Sequence, residues 1–154
     1  MTTNLADELT LESIITHATV SDWREAITVA GDALVAGHVT TAEYTTEMIA
    51  TVDELGPYIV IAPGIALAHS RPSAAVLRAG ISLVTLAVPV EFGHPSNDPV
   101  SLVIGLAALD HDGHLSIMSA LAGVLSDDDT VTELREATSS TQVQEILTAF
   151  DSQQ

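Results

Sequence analysis

Apolar residues recur at intervals of three and four through residues 21–55, with Trp23, Ala26, Ile27, Ala30 and Leu34 forming the clearest stripe, and this period predicts helix. Ser21 is a candidate N-cap. Gly37 closes the first helix, and the spacing of Thr40 and Glu43 matches a capping box for a second that runs to Gly56. The pattern then changes. Residues 58–62, 80–88 and 99–109 are short runs rich in Val and Ile, bounded by Gly and Pro, which predict strands, with residues 14–16 as a short fourth. These runs are apolar throughout rather than alternating, so the sheet should be covered on both faces. After Asp112 the helical period returns with Leu115, Met118, Leu121 and Leu125 on one side. Ser126 ahead of three aspartates marks another helix start, and a last helix over 141–150 should bury Val143, Ile146 and Leu147. Helices, then strands, then helices predict an α/β fold, a mixed β-sheet flanked by helices on both faces.

Composition narrows this picture. A chain of 154 residues without repeats or linker-like tracts is expected to form a single domain over 1–154. Hydrophobic residues are 47% of the chain and aromatics only 3%, so the core must be built from Ala, Val, Ile and Leu. The net charge is −17, lysine is absent, and the cations are Arg24, Arg71, Arg78 and Arg135. That balance argues against nucleic acid and anionic membranes and predicts either a basic protein partner or salt-rich surroundings. With no cysteine there is no disulfide and no thiolate chemistry. The N-terminal residues lack the basic then apolar order of a signal peptide, and the longest apolar runs, 81–90 and 100–109, are half the ~20 residues that span a bilayer. A cytoplasmic protein is expected.

Among six histidines, His17, His38 and His94 have ordinary loop or strand-end settings. His69 differs. The segment GPYIVIAPGIALAHSRP delivers it from an apolar run into a Pro-marked turn, which predicts an imidazole at a sheet edge. Pro72 biases Arg71 toward extended backbone, so His69 and Arg71 should share a face while Ser70 points elsewhere. An imidazole beside a guanidinium suits phosphate: the planar fork matches phosphate oxygens, and a neutral imidazole nitrogen is a nucleophile toward phosphorus. A short helical turn from Pro72 through Arg78 would add free amides to that anion site. The plainer alternative is a loop histidine beside a solvated arginine. A second cluster, DHDGHLSIM, sets His111 and His114 three apart beside Asp110 and Asp112, a spacing open to metal ligation. Equally, the aspartates and Gly113 could simply start a helix and leave both histidines solvated.

The His69 segment, the apolar strands after it and NDPVSLVIGLAALDHDGHLSIMSALAGVL together resemble the enzyme IIA domain of the sugar phosphotransferase system, mannitol and fructose type, over roughly residues 10 to 150. The ascorbate-like branch is nearest. The resemblance implies an α/β sandwich and a phosphohistidine intermediate, formed from the histidine-containing phosphocarrier protein as donor and passed to a IIB component, with the membrane IIC component served indirectly. By the same resemblance His69 is the phospho-acceptor and His114 the second active-site histidine, while His111 has no counterpart. Ala68 stands where the family usually has Pro before the acceptor. A IIB component of this class carries its phosphoryl group on cysteine, so a chain without cysteine cannot be one. The acidic charge would steer a basic donor. The reaction requires in-line alignment and charge stabilisation, with no metal or organic cofactor. Which sugar is served stays open, since that choice resides mainly in the membrane component, and so does assembly as a homodimer. Two other readings are a regulatory module switched by phosphorylation of His69 and a metal hydrolase using His111, His114 and an aspartate.

Overall fold

The computed structural model describes residues 4–153. The chain forms helix α1 (Leu5–Glu8), a 3₁₀ turn, strand β1 (Ile14–Ala18), helices α2 (Trp23–Ala36) and α3 (Ala42–Leu55), strands β2 (Val60–Ala62), β3 (Ile65–His69), β4 (Gly80–Val90) and β5 (Val100–Ala107), and helices α4 (His111–Leu125), α5 (Asp128–Glu136) and α6 (Ser140–Ser152). The five strands make one mixed sheet in the order β1-β4-β5-β3-β2. β1 with β4 and β3 with β5 run parallel, while β4 with β5 and β2 with β3 run antiparallel. The expected α/β architecture is therefore present, with one apolar cluster on each side of the sheet. One cluster packs α2 and α3, through Ala26, Ile27, Leu34, Tyr44 and Met48, on Ala66, Ala68, Val84 and Val103. The other packs α1, α4, α5 and α6, through Leu5, Ile117, Leu121, Leu134 and Leu147, on Leu67, Leu83 and Ile104.

The helix caps lie one residue from the expected positions. Asp22, not Ser21, caps α2 by accepting the Glu25 N–H at 2.9 Å, because a carboxylate three residues upstream reaches that amide while the Ser21 hydroxyl bonds the Glu25 side chain instead. Thr40 is drawn into a bridge with Val76, so α3 starts after Thr41 and the expected capping box does not form. Ser126 ends α4, and Asp127 caps α5. In α4, Leu115 is exposed, and the buried stripe is Ile117, Leu121 and Val124, with Met118 and Leu125 half-buried beside it. α2 and α3 cross closely at Gly31, where a Cβ would lie 2.0 Å from Thr45 Oγ1, so a side chain at 31 would force the helices apart. The run expected as one strand over 58–62 is followed by a second strand, because Pro63 and Gly64 reverse the chain. Gly64 adopts φ +75°, a conformation that favours glycine, and β3 then runs back beside β2.

Candidate active site

β3 reads IALAH, and its alternation decides where its last residue points. Ala66 and Ala68 face the α2/α3 cluster, whereas Ile65 and Leu67 face the α4 side. His69 follows Leu67 on that side and meets His114 of α4, ring centroids 5.6 Å apart. Rather than a sheet edge, the imidazole occupies the C-terminal end of an interior strand, where β3 is flanked by β5 and β2. Such strand ends are the usual ligand crevice of α/β sheets. The Tyr58 ring stands edge-on to His69 at 5.8 Å. His69 Nδ1 lies 2.9 Å from the Leu67 carbonyl oxygen. A carbonyl only accepts, so Nδ1 holds the proton and Nε2 keeps its lone pair.

His69 opens into a cleft of about 590 Å³ between α3 and α4. His111 and His114 line its α4 wall, Glu47 and Thr51 its α3 wall, and Arg71 its mouth. Of the four arginines, Arg24 pairs with Asp53, Arg78 donates to the Gly37 carbonyl at 2.7 Å and Arg135 to the Pro63 carbonyl at 3.1 Å. Arg71 makes no hydrogen bond or ion pair to any described residue, which leaves its guanidinium for an incoming anion. The expected helical turn after Pro72 does not form. Residues 72–78 are irregular because Val76 pairs with Thr40 and the Leu77 and Arg78 amides donate to the Val39 carbonyl, so this segment brings no helix terminus to the site. Ser70 also borders the cleft, contrary to the simple alternation. Its Oγ lies 3.2 Å from Thr51 Oγ1, and its N–H donates to the Tyr44 hydroxyl at 3.0 Å.

His114 sits in the first turn of α4, which Asp110 caps by accepting the Gly113 N–H at 2.7 Å. Its pKa is lowered, first by desolvation and then by the neighbouring His69 and His111, so the neutral ring is favoured. His111 borders the same cleft from the start of the helix. Among the described residues no group of three or more His, Asp and Glu is gathered as a metal site. The other histidines lie elsewhere. His94 Nδ1 accepts the Ser96 and Asn97 amides at 3.1 and 3.0 Å, and His17 and His38 are exposed at φ 55° and 60°. A nucleophilic ring nitrogen, a neutral imidazole and an unengaged guanidinium around one cleft can accept and hold a phosphoryl group.

The model of the family "Phosphoenolpyruvate-dependent sugar phosphotransferase system, EIIA 2" matches residues 8–150. The chain belongs to this EIIA family. The ascorbate-specific PTS system EIIA component of Escherichia coli K12 is 36% identical over 137 residues, covering 88% of this chain and 89% of that protein. The solution structure of the mannitol-specific cryptic phosphotransferase enzyme IIA from Escherichia coli aligns at TM-score 0.84 and 32% identity, covering 96% of this chain and 99% of that one. Enzyme IIA of the mannitol system, solved in complex with phosphorylated enzyme IIB from Escherichia coli, aligns at TM-score 0.79 and 29% identity over 92% of this chain and 99% of that one. This EIIA chain is thus a phosphotransferase-system component of the class that transfers phosphoryl groups. No helix among its described residues is long and apolar enough to cross a membrane.

In this EIIA chain the fold gathers all three residues singled out from the sequence, His69, Arg71 and His114, around one cleft. Sequence reasoning missed Tyr44, Thr51 and Tyr58. Tyr58 had a signal, since an aromatic next to Pro57 is exposed on an otherwise aromatic-poor chain. Tyr44 had none, because it occupies an apolar position of an amphipathic helix like its neighbour Met48.

Proposed function

We propose that this chain accepts a phosphoryl group on Nε2 of His69 from the histidine-containing phosphocarrier protein and passes it to a IIB component serving an ascorbate-like sugar. The observation that carries this reading is the Nδ1 contact to the Leu67 carbonyl, because it commits the proton to Nδ1 and leaves Nε2 as the nucleophile. In the forward step the Nε2–P bond forms as the donor's N–P bond breaks, and the donor ring keeps the electron pair. Donor and acceptor are both imidazoles, so the step is near thermoneutral and runs either way, as a relay requires. Arg71 would offset charge on the transferring oxygens, and His114 would donate a hydrogen bond to the bound phosphoryl group. Passage onward places the group on the acceptor component's cysteine. Similarity to the ascorbate-specific EIIA component supports the sugar class, and the solved mannitol IIA and IIB complex supports the acceptor.

Incubation with phosphoenolpyruvate, enzyme I and the carrier protein should add one phosphate, labile in acid and stable in base. His69→Ala should abolish it. Full labelling of the alanine variant would reject His69 as the acceptor.

A further inference from the structure

We propose that Tyr44 is a positioning residue for phosphoryl transfer: its buried hydroxyl forms a rung between the ends of β3 and β5 and sets where His69 and Arg71 stand relative to each other. This rests on the reading of His69 as acceptor. The last register pair of the two parallel strands is His69 with Leu106. One residue on, the Ser70 N–H donates to the Tyr44 hydroxyl at 3.0 Å, and that hydroxyl donates its own proton to the Leu106 carbonyl at 2.8 Å. A neutral phenol can accept and donate together, so one oxygen satisfies both strands. The Ser70 carbonyl, at 3.1 Å, is the competing acceptor. Tyr44 is 1% exposed, and burial pushes its pKa to about 12, which keeps the donated proton in place.

One phenol oxygen thus links the Ser70 amide to the Leu106 carbonyl across the two strand ends. The ends can neither close nor drift without displacing the phenol or leaving a buried backbone group unpaired. Ser70 lies between His69 and Arg71 in sequence, so the pinned amide separates the acceptor from its anion ligand. Two further side chains on the same stripe of α3 extend the grip: Thr51 meets Ser70 Oγ at 3.2 Å, and Glu47 accepts from Ser73 Oγ at 2.7 Å. Arg71 and Pro72 are thereby bracketed on both sides. Replacing Tyr44 by Phe keeps the ring and removes only the rung. Ser70 and Leu106 would then close on each other or admit water, and a displacement of about 1 Å at a reacting centre costs on the order of 10²-fold in rate.

The test is single-turnover transfer from the phosphorylated carrier protein to wild type and Tyr44→Phe. The expected result is a rate constant at saturating donor that falls by roughly 10- to 100-fold, a donor KM unchanged, and the same final stoichiometry on His69. A wild-type rate constant, or a loss confined to KM, overturns the proposal. Wild type that takes no label at all instead overturns the phosphocarrier reading, a distinct result. An arm without any variant guards against misfolding: in wild type the Ser70 amide should exchange with deuterium as slowly as the amides within β3. Exchange as fast as at the exposed Ser73 would show that no rung holds it.

Discussion

The two faces of β3 are built from the same five residues but do opposite work. Toward α2 and α3 the strand presents only Ala66 and Ala68, and these small side chains leave the Tyr44 ring room in the cluster beneath α3. Toward α4 it presents Ile65 and Leu67, which fill the core below His69 and support the layer carrying Ile117 and Leu121. The α3 face thus supplies hydroxyls and a carboxylate that hold Ser70 and Ser73, while the α4 face supplies imidazoles that line the cleft. A strand end can in this way be both fixed and reactive. Restraint comes from one side of the sheet and chemistry from the other, so neither crowds the other out.

The strongest way to break this division is through packing. Leu67 is fully buried beneath the acceptor, and Leu67→Ala should cost about 2–5 kcal/mol in denaturant unfolding, as buried leucine truncations do. On the opposite face the informative change is the reverse one, from small to large. Ala68→Leu should destabilise by roughly 1–3 kcal/mol through overpacking, and it should slow transfer as well, because it crowds the cluster that holds Tyr44. Equal rates after correction for folded fraction would show that the α3 face is mere scaffold. At the cleft mouth, Arg71→Ala should slow phosphoryl transfer by about 10²-fold, the scale of losing one preorganised donor. Lysine should rescue only in part, since it restores charge without the fork. Stopped-flow transfer kinetics decide both.

How much of this was legible in the sequence follows the same boundary. His69 and Arg71 stood out because a strand running into a Pro-marked turn exposes its last polar residues, a local feature. The sheet and most helices were legible from their periods, and the misplaced caps at Ser21, Thr40 and Ser126 each lost to a neighbouring residue by one position. The break between β2 and β3 had a local signal in Pro63 and Gly64 that the apolar run on either side obscured. Tyr44 could not be found this way, because its hydroxyl matters only through Ser70 and Leu106, 26 and 62 residues distant. His111 and His114 could not be ranked by helical spacing alone, and only the approach of the His114 ring to His69 separates them.

That separation gives a smaller effect to measure on the α4 face. His114→Ala should slow transfer or shorten the life of the phosphorylated form, while His111→Ala should do so less, because only His114 has a ring against the acceptor. Neither change should release a metal on elemental assay. Equal losses from both, with a bound metal lost from each, would favour the hydrolase reading of the cluster.

The subtlest effect is the titration of His114. Its folded-state pKa lies below the ordinary 6.5, first because burial disfavours the imidazolium and then because His69 and His111 would repel it. As pH falls through 6.5, the unfolded chain therefore binds its proton before the folded one does. The stability this residue contributes is complete above that pH and is lost as pH falls toward the depressed folded value. The effect should be small, since His114 is only half-buried. NMR titration offers a sharper reading than unfolding. In wild type the His114 midpoint should fall below 6.5, and His69→Ala should move it up by removing one of the repelling rings. Phosphorylation of His69 should move it further up, because a dianionic group beside the ring favours the imidazolium and a hydrogen bond to the phosphoryl oxygen. A midpoint indifferent to both changes would mean that the two rings, though 5.6 Å apart, do not act on the same charge.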